Sequence, residues 1–69
     1  MANTIEAALM IEANIKQTAE LVESMTKLSK QLAQKGDDTS GINKNIEDLK
    51  AIIETNTATA EYIRKTAVE

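Results

Sequence analysis

The 69-residue chain contains no cysteine, no histidine and no proline, and it has only two glycines and one aromatic residue, Tyr62. Without cysteine it has no disulfide staples, and without histidine as well it lacks the commonest zinc ligands. Acid–base and nucleophilic chemistry rely on histidine, cysteine or a buried carboxylate beside a cleft, so the composition argues against an enzyme and against a cofactor. With a single ring available, the core has to be aliphatic. A domain this small gains little from such a core, and association with a second copy or a partner is the remaining stabiliser.

A long hydrophobic run is missing too. The dense apolar block at residues 7–11 is five residues long, far below the ~20 that cross a bilayer. No basic segment precedes it in the manner of a signal peptide. The expectation is a cytoplasmic protein with no membrane span, with secretion by a signal-less route left open. Eight basic and eleven acidic residues give a net charge of -3, and the signs are interspersed. Lys27, Lys30, Lys35, Lys44 and Lys50 gather towards the middle of the chain, but Asp37, Asp38, Glu47 and Asp48 lie among them and no aromatic platform accompanies them. That pattern gives little support to nucleic-acid binding.

What is present is helical periodicity. Hydrophobic residues make up 42% of the chain and charged residues 28%, too apolar and too regularly spaced for a disordered tail. Nothing breaks a helix between Asn3 and about Lys35, and Asn3 with Glu6 has the spacing of a capping box. Lys35, Gly36 and the polar residues up to Gly41 then supply a basic last turn, a glycine for a left-handed cap, and Thr39 or Ser40 as the next N-cap. From there Ile42, Ile46, Leu49, Ile53, Asn56, Ala60, Ile63 and Ala67 recur at alternating spacings of four and three, the seam of a coiled coil with one asparagine set into it. These signals predict one all-α domain over 1–69, an antiparallel, coiled-coil-like two-helix hairpin. Its first helix covers about 4–35, its turn about 36–41 and its second helix about 42–67.

A short turn lays such helices side by side. The expected pairing sets Leu32 against Ile46, Leu28 against Leu49, Met25 against Ile52 and Ile53, Val22 against Thr55 and Asn56, Thr18 near Ala60, and Ile15 against Ile63. In that register the second helix ends opposite about Met10, so Ile5 and Leu9 are expected to overhang. The apolar block also covers every side of its turns, which one neighbouring helix cannot bury. A weak internal echo at an offset of 31 accompanies the pattern: Ile11, Asn14, Ile15, Glu23 and Thr26 recur as Ile42, Asn45, Ile46, Glu54 and Thr57. Two amphipathic helices share such spacing by default, so the echo does not establish duplication.

Several polar features call for two readings. Glu20, Glu23 and Glu54 resemble part of a carboxylate metal site in a four-helix bundle, but the Glu-x-x-His pairs of such sites are absent. Solvated faces with spaced pairs, Glu12 to Lys16, Glu23 to Lys27, Lys50 to Glu54 and Glu61 to Lys65, explain the acids better. Asn56, with Asn14, Gln17 and Thr18 on the facing stretch, predicts a polar layer that sets register and copy number rather than a ligand site. Tyr62 stands beside the seam, where its ring packs while its hydroxyl reaches water or a partner. Met10 reads as adaptable filler.

The expected function is a non-catalytic, self-associating structural or adaptor subunit, most simply a dimer that forms a four-helix bundle. Ile5, Leu9, Met10, Ile11, Ile15, Val22, Asn56, Tyr62 and Ile63 are its expected interface residues. The alternative is a small inhibitor or regulator, of the kind phages and mobile elements encode, that blocks one heterologous protein with a helical face. A nucleic-acid-binding hairpin dimer comes third.

Overall fold

Two helices carry the regular structure of the described residues: α1 runs Ala2–Gln34 and α2 runs Ser40–Ala67, and they pack against each other as a hairpin. The computed structural model describes the backbone of residues 2–67 and the side chains of residues 4–67. At 1.5 Å per residue a helix as long as α1 spans about 50 Å, in keeping with a Cα trace of 54 × 14 × 11 Å. The molecule is one helix pair thick, and that limits what it can bury. No described helix is long and apolar enough to cross a membrane.

Helix α1 starts two residues before the expected Thr4, which places Asn3 inside the first turn. The side chain of Asn3, and with it the expected capping box, lies outside the described residues. The other end is closed by a Schellman motif. Gly36 takes φ +83°, its N–H donates to the Ala33 carbonyl at 3.0 Å, and the Asp37 N–H reaches back to the Leu32 carbonyl at 3.0 Å. Two carbonyls that the helix would leave without partners are thereby satisfied. Thr39 occupies the N-cap of α2, its carbonyl accepting from the Asn43 N–H at 2.9 Å. The side chain that caps the turn belongs to Asp38, whose Oδ1 accepts the Ser40 N–H at 2.9 Å. That bond holds the Asp38 carboxyl below the usual carboxylate range.

The seam is a heptad pattern on both helices. With its positions labelled a and d, Ala8, Ile15, Val22 and Ser29 take a in α1, and Thr4, Ile11, Thr18, Met25 and Leu32 take d. In α2, Ile46, Ile53, Ala60 and Ala67 take a, and Ile42, Leu49, Asn56 and Ile63 take d. Every one of these is buried or half-buried. The periodicity of α1 was hidden because Thr4, Thr18 and Ser29 stand at seam positions while Leu9, Leu21 and Leu28 do not. The internal echo carries each matched residue to the same heptad position, as two helices sharing one seam require.

Burial corrects three expectations. Leu28 and Ile52, expected inside, are 46% and 47% exposed, because each sits next to the seam rather than on it. The overhang is absent as well: Ala8 is fully buried and Thr4 half-buried, so α2 covers one side of the opening block past Met10. The register differs for the same reason. The cross-helix bonds join Ser29 to Asn43, Asn14 to Asn56 and Glu12 to Arg64, pairs that slide α2 further along α1 than the expected register allowed. Ile5 and Leu9 remain exposed, at 37% and 52%, because they point sideways from a covered turn.

Among the described residues only Ala8, Ile46, Ala60 and Ser29 are buried, and no large side chain is fully enclosed. Ser29 keeps its hydroxyl satisfied by donating to Asn43 Oδ1 at 2.6 Å, and Asn43 in turn donates to Thr39 Oγ1 at 3.2 Å. This short chain of bonds ties the last turns of α1 to the first turn of α2.

Candidate interaction face

In an antiparallel pair the positions beside the seam sort onto two sides: e faces e across one side, and g faces g across the other. The hydrogen bonds identify both. On the e side, Arg64 donates from Nε and Nη2 to the two carboxylate oxygens of Glu12 at 2.5 and 2.6 Å. The guanidinium lowers the Glu12 pKa, mainly through these bonds, and Glu12 raises that of Arg64 in return. Sequence spacing paired Glu12 with Lys16, but the planar fork of Arg64 from the facing helix takes both oxygens. The expected Glu23 to Lys27 pair forms at 3.8 Å.

On the g side, Asn56 Nδ2 donates to Asn14 Oδ1 at 3.3 Å. The asparagine expected to meet a polar layer on the facing helix thus meets Asn14. Thr18 and Thr59 turn their hydroxyls back to the carbonyls of Asn14 and Thr55 at 2.9 Å each.

Charge is distributed unequally between these sides. Every charged residue within the two helices occupies b, e or f, except Asp48 at c. From Ala7 to Gln31 the g and c positions of α1 carry no charge at all. The same face holds Met10, Leu21, Leu28, Ile52 and Tyr62, which are five of the seven large hydrophobic residues that stand exposed among the described residues. The remaining two, Ile5 at e and Leu9 at b, lie on the other side at the open end of the hairpin. Sequence reasoning named Met10 and Tyr62 but missed Leu21, Leu28 and Ile52, which were assigned to the interior or left without a role. The signal was the absence of charge at g and c of α1, legible only once the seam of α1 is known.

Of the expected interface residues, the structure places Ile11, Ile15, Val22, Asn56 and Ile63 in the seam between the two helices of one chain, all half-buried. Ile5, Leu9, Met10 and Tyr62 face solvent. Glu20, Glu23 and Glu54 are exposed at b and f positions, and no group of three or more potential metal ligands occurs among the described residues. The shifts at Glu12, Asp38 and Arg64 all favour the charged form, the opposite of tuning towards neutrality for proton transfer. Comparison with protein-family models, with curated proteins and with solved structures found no match.

Proposed function

We propose that the chain is a non-catalytic, self-associating helical subunit that serves a structural or adaptor role in the cytoplasm. The observation that carries the reading is the mismatch between apolar content and enclosure: among the described residues no large side chain is sealed within the hairpin, while seven large hydrophobic ones stand exposed. The accessible surface is 5310 Å². A folded monomer of 7.5 kDa is expected to show roughly 4,200 Å². Burying the surplus against another helical surface lowers the free energy of the assembled form, and two hairpins laid together supply the interior that one lacks.

The test is the native mass. Sedimentation equilibrium between about 1 and 100 μM is expected to return a multiple of the chain mass, with helicity and melting temperature that rise with concentration. A monomer that keeps full helicity and one melting temperature across this range rules the reading out.

A further inference from the structure

We infer that the face formed by the g and c positions of both helices, uncharged except for Asp48, is where a second copy of this chain docks, across a two-fold axis, to close a four-helix bundle. The inference rests on the self-association reading and deepens it by naming the surface. Three observations select a second copy as the occupant.

The first is charge. The chain carries a net charge of -3, so two copies repel unless their charges are kept apart. Charged side chains in the helices are confined to b, e and f apart from Asp48, which stands on this face one turn before Ile52, so the g–c face is the long surface on which two copies bring the fewest like charges together. A differently charged partner would find only Asp48 there to pair with.

The second is self-complementarity. A two-fold interface uses the same patch from both subunits. The 31-residue offset that superposes the two seams also carries Leu21 onto Ile52, and the bonds Glu12–Arg64 and Ser29–Asn43 bracket these two residues from either end. The apolar centre of the face therefore takes equivalent residues from both helices, with Leu28 beside it and uncharged Gln17, Ser24 and Thr55 around it.

The third is area. The elongated 54 × 14 × 11 Å shape leaves about 1,000 Å² more surface than a compact monomer of this mass would show, and a standard stable interface of ~800 Å² per partner fits along one long face of it.

The experiment combines mass and labelling on the full chain. Sedimentation equilibrium compares wild type with Leu21→Lys, Ile52→Lys and Leu9→Lys. Because the chain has no cysteine, single variants Ser24→Cys on the face and Ala51→Cys on the outward f position also report thiol alkylation rates at low and high concentration. The expected result is a dimer whose dissociation constant rises about 100-fold or more with Leu21→Lys or Ile52→Lys. Leu9→Lys is expected to change it less than tenfold, and alkylation at Ser24→Cys, but not at Ala51→Cys, to slow at least tenfold on association. A wild type that stays monomeric overturns the self-association reading itself. An oligomer that protects Ala51→Cys, or that is broken by Leu9→Lys while Leu21→Lys and Ile52→Lys leave it intact, preserves that reading and overturns the assignment of this face. The alkylation arm decides between these even where a lysine variant fails to fold.

Discussion

Arg64 near the end of α2 holds Glu12 in the third turn of α1 by a two-pronged bond, which fastens the open end of the hairpin just as Ser29 and Asn43 fasten the turn end. Both partners are solvent-exposed, so water and salt weaken the pair, and its main effect is on which residues face each other.

That pair makes stability depend on acid. Glu12 has a lower pKa in the folded chain than its ordinary value, so the unfolded chain binds protons first as pH falls. The stabilisation is complete above the ordinary carboxylate range and is lost as pH drops through the lowered folded value. Asp38 contributes with the same sign. Thermal melts followed by circular dichroism from pH 7 to pH 2 are expected to show a smaller acid-induced fall in Tm for Arg64→Met than for wild type. Arg64→Lys, which keeps the charge and loses the fork, is expected to lie between them. Superimposable profiles would show that the ion pair contributes nothing.

Gly36 and Gly41 are expected to respond oppositely to alanine. Gly36 has φ +83°, a left-handed conformation that costs an L-residue about 1–2 kcal/mol, so Gly36→Ala is expected to lose that much in urea denaturation. Gly41 lies in the first turn of α2 with open space around its Cα. There Gly41→Ala is expected to gain up to about 1 kcal/mol from helix propensity and a less flexible unfolded chain.

The narrow core sets a third expectation. Ile46 is the one large side chain buried among the described residues, at 7% exposure, and Ile46→Ala is expected to cost about 2–4 kcal/mol in equilibrium unfolding. Ala60 is 3% exposed at its seam position, so the larger side chain of Ala60→Leu has to push the helices apart at about 1–3 kcal/mol. If Ala60→Leu instead stabilises the protein, α1 and α2 are not in close contact at that level.

Asn56 supplies a fourth. Replacing it with leucine removes the bond to Asn14 but adds apolar burial at a half-buried seam position. Asn56→Leu is therefore expected to raise Tm while loosening the choice of alignment. Amide spectra of the variant are expected to show more than one set of resonances, or native mass to show mixed species. A variant that is more stable and still uniform would deny the asparagine any role in alignment.

The hairpin was legible because its signals are local. The missing helix breakers before Gly36, the glycine cap and the strict four-three spacing from Ile42 to Ala67 each act through neighbours a few residues away, and the two helices end close to where these cues place them. The capping of α2 was only partly legible, since Thr39, Ser40 and Asp38 all carry suitable oxygens and backbone geometry chooses Asp38 for the Ser40 N–H. The seam of α1 was harder to read. Threonine and serine at a and d look polar in sequence, yet in a seam one helix pair thick Thr4 and Thr18 are only half-buried, and the buried Ser29 finds its partner fourteen residues away.

The candidate face depends on long-range alignment. Residue types and their order settled that the chain forms two amphipathic helices joined by a tight turn, because helix propensity, capping and periodicity are properties of short stretches. Which side of each helix turns inward, and whether α2 reaches Ala8 or stops at Met10, depended on how two long rods slide past one another. Small energy differences spread over many side chains govern that sliding, together with the partners found by Ser29, Asn14 and Glu12 across the seam. Once they are joined, Leu21, Leu28 and Ile52 come to one side that carries no charge but Asp48, an arrangement that no single helix contains.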